Sequence, residues 1–88
     1  MAKPRKRGKL PGLSWQDFAR VIRADGWSRD EAAQHENYKH PEKRGKVSLD
    51  KKWKDVSTDN MVFHSVLRQA GLTKRQFAEL YWKTRGGS

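Results

Sequence analysis

The chain has 88 residues, 34% of them hydrophobic and 34% charged, which is enough for one small domain with a modest core. Twenty Lys and Arg against ten Asp and Glu give a formal net charge of +10, which points to a polyanionic partner, nucleic acid before an anionic membrane surface. Cysteine is absent, which excludes disulfides and thiolate metal sites, and no apolar run approaches the roughly 20 residues of a membrane span. There is no signal-peptide core, and the three histidines show no metal-ligand spacing. The expectation is a cytoplasmic protein with no cofactor, no metal and no membrane contact.

Residues 1–13 form a basic arm, with Lys3, Arg5, Lys6, Arg7 and Lys9 broken by Pro4, Gly8 and Pro11. It carries no apolar pattern and is read as flexible, either attracting phosphate or only solubilising the chain. The folded domain is placed at residues 14–82. Ser14-Trp15-Gln16-Asp17 is a capping box with Asp in place of Glu, and Trp15, Phe18, Ala19 and Ile22 make one helical stripe. Arg20 and Arg23 lie off that stripe and are read as solvated. Gly26 is placed to end the helix in the left-handed region.

Over residues 27–34 the local signals conflict. Ser28 with Glu31 is a fair capping box, and Ala32-Ala33-Gln34 suits a helix. A helix here would make the chain a small helical DNA-binding domain. A strand here would begin a sheet. His35 to His40 reads as the second strand, ended by Pro41, and Lys46-Val47-Ser48-Leu49-Asp50 alternates as a third. An antiparallel hairpin would place Tyr38, Val47 and Leu49 against the helices.

Further on, Ser57-Thr58-Asp59 supplies cap candidates for a helix with Val62, Val66, Leu67 and Ala70 buried and Met61 and Phe63 on its flanks. Gly71 and Leu72 read as a Schellman ending. Thr73-Lys74-Arg75-Gln76 is another capping box, opening a short helix with Phe77, Leu80 and Tyr81 on one side. Residues 83–88 read as a disordered tail. The sum is an α+β domain.

The stretch from His35 to Pro41 is where two histidines, an aromatic and several bases sit together. On a strand, Tyr38 points one way and His35, Asn37 and Lys39 the other. If Tyr38 faces the core, His35 stands on the open face among cations. A neutral imidazole there can take a proton from a sugar hydroxyl beside a bound phosphate, because its ordinary pKa of about 6.5 sits near working pH. Lone surface histidines are common, so the residues alone favour a surface strand residue with no role. Lys39, Arg44 and Lys46 are candidates for phosphate contact and transition-state charge, and Lys43, Lys51, Lys52 and Lys54 extend the track. Trp53, among these lysines, either stacks a base or folds back over the core edge. His40, before a proline, is read as structural, and His64 as part of a solvated helix face.

Several words of the sequence, in order, resemble the HicA family of toxins from bacterial toxin–antitoxin pairs. They are Ile22-Arg23-Ala24-Asp25-Gly26-Trp27, His35 followed by Tyr38-Lys39-His40-Pro41, Gly45-Lys46-Val47, and Ser65-Val66-Leu67-Arg68-Gln69-Ala70-Gly71-Leu72-Thr73. Together they span about residues 14–81. The resemblance implies a double-stranded-RNA-binding-like α-β-β-β-α fold, a three-stranded antiparallel sheet with helices on one face. It assigns residues 28–34 to the sheet. It implies a metal-independent endoribonuclease acting on messenger RNA and silenced by an acidic HicB-type antitoxin. By position, the family's catalytic histidine is His35. The chain departs from the family's Gly-Ser-His at Ala33 and Gln34, and has Glu36 where a second histidine often stands. A non-catalytic RNA- or DNA-binding module of the same fold is the alternative.

Overall fold

The computed structural model describes residues 10–32 and 36–85. Its elements in chain order are α1 (Trp15–Ala24), β1 (Ser28–Arg29), β2 (Glu36–Lys39), β3 (Val47–Leu49), α2 (Met61–Ala70) and α3 (Lys74–Arg85). The strands form one antiparallel sheet in the order β1-β2-β3, with Arg29 opposite Tyr38 and Tyr38 opposite Val47. The protein is thus α+β, laid out α-β-β-β-α with a further C-terminal helix. The helical alternative for residues 28–34 does not hold where the chain is described: Ser28–Arg29 pairs with β2, and Asp30 donates its N–H to Asn37 at 2.7 Å. Cross-strand pairing overrides the local helix preference.

Each helix starts and stops on local chemistry. Asp17 N–H donates to the Ser14 hydroxyl at 3.3 Å, and Ser14 N–H donates to the Asp17 carboxylate at 2.9 Å, completing the capping box. At the other end Trp27 N–H reaches Ile22 C=O at 3.0 Å and Gly26 N–H reaches Arg23 C=O at 3.0 Å. That is a Schellman ending, with Gly26 at φ +108°. α2 ends in the same way, Leu72 N–H reaching Leu67 C=O at 3.0 Å beyond Gly71. Its start differs from expectation. Asn60, not Ser57, Thr58 or Asp59, is the cap, accepting from Val62 N–H at 2.8 Å. The Ser57 hydroxyl is taken by Asp59 N–H. The Thr73–Gln76 box opens α3 as read, with reciprocal bonds of 2.9 and 3.0 Å.

Side chains alternate across the sheet. Glu36, Tyr38, Val47 and Leu49 face the helices, while Lys39 and Ser48 lie on the exposed side and Asn37 is half-buried. The core joins that face to Leu13, Phe18, Val21, Ile22, Trp27, Val56, Phe63, Val66, Leu67, Phe77 and Tyr81. Phe18, Phe63 and Phe77 meet as a ring cluster, with centroids 5.3–6.3 Å apart. The α2 stripe is Phe63, Val66, Leu67 and Ala70. Phe63 is therefore core rather than flank, Val62 is only partly buried, and Met61 is 83% exposed. Gln69 of α2 accepts from Ser48 N–H at 2.9 Å, satisfying one outward group of the β3 edge.

Both ends of the described chain are more ordered than expected. Leu13 is fully buried and bridges Val56 through bonds of 2.9 and 2.8 Å, so the fold begins before Ser14. Lys3, Arg5, Lys6, Arg7 and Lys9 of the basic arm lie outside the described residues. α3 continues to Arg85 rather than ending at Trp82. The Thr84 hydroxyl accepts from Arg20 Nε at 3.0 Å, and the same guanidinium lies 5.0 Å over the Tyr81 ring and 3.0 Å from Asp17. Arg20 is thus a tie between α1 and α3, not a solvated residue.

Gly26 provides a test of this frame. A Cβ there falls 2.6 Å from His40 Nε2, and that ring is held by the Asp25 carbonyl at 2.8 Å and by Glu42 N–H at 2.9 Å. Gly26→Ala is expected to cost about 1–3 kcal/mol by urea denaturation, from left-handed backbone plus displacement of a pinned ring. Gly45, at φ +75° with nothing within 4 Å of its Cβ position, carries only the backbone part, so Gly45→Ala should cost less. Equal losses would show that His40 is not held.

Candidate nucleic-acid interface

β2 begins at Glu36, the residue after His35. His35 itself, with Ala33 and Gln34, lies outside the described residues. Lys39, at the far end of β2, stands on the exposed sheet face, 66% exposed and 3.5 Å from Asp30. Beyond it, Arg44 and Lys46 are exposed on the β2–β3 turn. Asn37 and Ser48 complete that face, the Ser48 hydroxyl donating to Asn37 Oδ1 at 2.7 Å. The open side of the ribbon is therefore polar and cationic. Among the described residues, neither Arg44 nor Lys46 has a carboxylate partner, so both remain available to an anion.

Lys43 has a different job. Its Nζ lies 2.7 Å from Asp25 Oδ2 and donates to the Ala70 carbonyl at 2.9 Å. It joins the carboxylate at the end of α1 to the carbonyl end of α2, where the helix dipole favours a cation. Its partners are 18 and 27 residues away, beyond the reach of any local pattern. The phosphate track expected of the sequence loses this member.

Past β3, Lys52 and Lys54 are exposed, as is Lys51. Lys51 Nζ lies 3.5 Å from Glu36 and 5.7 Å over the Trp15 ring. Trp53 is not displayed among them. It is half-buried, with its ring edge-on to Phe18 at 5.7 Å, and it accepts from Trp15 N–H at 3.3 Å. Folding over the core edge, not free base stacking, is its place in the structure.

Glu36 is the feature that sequence reasoning missed. It is the one buried charged side chain among the described residues, at 7% exposure. The Tyr38 hydroxyl donates to its Oε1 at 3.0 Å, and Arg29 Nε donates to its Oε2 at 3.1 Å. Alternation along β2 is the signal that finds it, since Tyr38 in the core brings Glu36 to the same face. Burial works to raise this carboxyl. The Tyr38 hydrogen bond, then the charges of Arg29 and Lys51, outweigh burial and hold it below the ordinary range. Burial, reinforced by Glu36, pushes the Tyr38 hydroxyl up. A depressed carboxyl stabilises the fold above its unfolded value, near 4.5, and that stabilisation is lost as pH falls through the folded value. Glu36→Gln is therefore expected to flatten the acid limb of stability against pH in urea titrations. Asp17, also lowered, contributes to the slope left over: burial opposes this, and the Ser14 and Arg20 bonds prevail. An unchanged limb would show that Glu36 is not ionised in the fold.

The described histidines take structural and surface places. His40 Nδ1 accepts from Glu42 N–H, so Nε2 carries the proton and donates to the Asp25 carbonyl. Its ring packs edge-on to Trp27 at 5.3 Å. His64 is exposed on α2, against the Phe63 edge. Among the described residues no group of three or more His, Cys, Asp or Glu is gathered for a metal ion, and no helix is long and apolar enough to cross a membrane. No protein-family model, curated protein or solved structure matches this chain.

Proposed function

We propose that this protein is a HicA-like toxin, an endoribonuclease that cleaves messenger RNA without a metal and is silenced by an acidic HicB-type antitoxin. The observation that carries this reading is the α-β-β-β-α order, with β2 starting directly after His35. It is the layout that the resemblance implies, with Lys39 exposed at the far end of β2 and Arg44 and Lys46 exposed on the turn beyond it. In this reading His35 takes the 2′-hydroxyl proton. Lys39, Arg44 and Lys46 hold the phosphate and its developing charge. Lys51, Lys52 and Lys54, past β3 at the Glu36 end of the ribbon, follow the backbone there. The antitoxin covers the same cations with carboxylates, masking the site by charge.

A second reading, a non-catalytic RNA-binding module of the same fold, is favoured by Ala33-Gln34 standing in place of Gly-Ser. One experiment separates them. Purified protein is incubated with messenger RNA in excess chelator, and the products are resolved on a denaturing gel. Cleavage that persists supports the nuclease. Salt-sensitive binding with intact RNA leaves only the module.

A further inference from the structure

A cleft of about 490 Å³ opens between α1 and the β1–β2 ribbon, within the range typical of small-ligand sites. Trp15, Ala19 and Tyr38 give it apolar walls, and Arg20, Arg23, Arg29 and Glu36 supply its charge, Arg20 being paired with Asp17. It is separate from the Lys39–Lys46 surface and adjoins a second recess that also reaches Glu36 and is lined by Lys51 and Trp53. Its charges are unequal in availability. Arg29 is bound to Glu36 and Glu31. Arg23 is exposed, lies 5.8 Å over the Tyr38 ring, and has no carboxylate partner among the described residues. Trp15 is half-buried and lines the cleft, with Lys51 Nζ 5.7 Å over its ring.

A guanidinium with no carboxylate partner among the described residues and an aromatic wall in one recess match the phosphate and the base of a nucleotide. The phosphate meets Arg23, and the base lies against Trp15. An acidic peptide fits less well, because carboxylates alone leave the Trp15 wall unused. A duplex fits less well, because its bases are stacked and paired. We propose that this cleft receives one unpaired nucleotide of a single-stranded RNA, with Arg23 as its phosphate contact and Trp15 as its base contact. The choice of RNA rests on the function proposed above; the nucleotide chemistry does not.

The test is fluorescence anisotropy of labelled single-stranded and duplex oligoribonucleotides with the full chain carrying His35→Ala, so that binding is read without cleavage. Adding Arg23→Gln should weaken single-strand binding several-fold and lower the magnitude of its log–log salt slope by about 0.7, one phosphate contact. Adding Trp15→Leu should weaken it about five-fold or more. Neither should change duplex binding. Arg23 is exposed, so its variant keeps the fold and decides the matter if Trp15→Leu destabilises the core. Unchanged single-strand affinity, an equal loss on duplex, or displacement of the RNA by poly-glutamate from this cleft alone would overturn the proposal. If the parent cleaves RNA while these variants bind as before, the cleft proposal falls and the nuclease stands. If they weaken binding and nothing is cleaved, the reverse holds.

Discussion

Replacing His35 with alanine is expected to lower RNA cleavage by at least about 10²-fold, the smaller end of what a positioned proton-transfer group supplies. Cleavage without a metal begins when the 2′-hydroxyl loses its proton and its oxygen attacks the adjacent phosphorus. The bond to the 5′-oxygen then breaks, and that oxygen takes a proton from the imidazolium so formed or from water, leaving a 2′,3′-cyclic phosphate and a 5′-hydroxyl end. The first proton needs an acceptor beside the sugar. The described histidines are poorly placed for it: His40 has both ring nitrogens engaged, and His64 stands away on α2. Glu36, the nearest carboxylate in sequence, faces the helices and is tied to Tyr38 and Arg29. His64→Ala is therefore the matched control and should cleave as the parent does. Added imidazole should restore part of the lost rate to His35→Ala, because it supplies the missing base. Circular dichroism and melting of the mutant should match the parent. Full activity in pure His35→Ala would end the nuclease reading.

Much of the frame was legible because its signals are local. Ser14 with Asp17, Thr73 with Gln76, and Gly26 and Gly71 with the residues after them each fix a helix end within a few positions. Period-two patterning put Tyr38, Val47 and Leu49 inside, as found. What escaped depends on residues far apart in the chain. Lys43 reads as one more base of a cationic loop until Asp25 and the α2 carbonyls fold up to it. Arg20 reads as solvated until α3 brings Thr84 and Tyr81 across. Ser28 and Arg29 show the same limit from the other side, since there a helical local preference lost to pairing with β2. Glu36 was within reach: the alternation that buried Tyr38 also buried it, and only its charge argued otherwise.

Phe63→Ala is the substitution expected to cost most in stability, about 3–5 kcal/mol. The side chain is fully buried, and its ring meets Phe77 edge-on at 5.3 Å and Phe18 at 6.3 Å. Truncation leaves a cavity where three helices meet, and rings on separate helices cannot all close on it. A domain of 88 residues has roughly 4–13 kcal/mol in total, so this one change removes a large share. The melting temperature should fall by at least roughly 12 °C. Met61 makes the comparison sharp. It lies two residues earlier on α2, and the pattern of apolar residues alone gave both side chains the same flank position. At 83% exposure, Met61→Ala should change stability by no more than about 0.5 kcal/mol. What separates the two is the rotation of α2 about its axis, which Phe18 and Phe77 set by offering their rings to residue 63. Comparable losses in the two variants would mean that α2 presents a different face to the core.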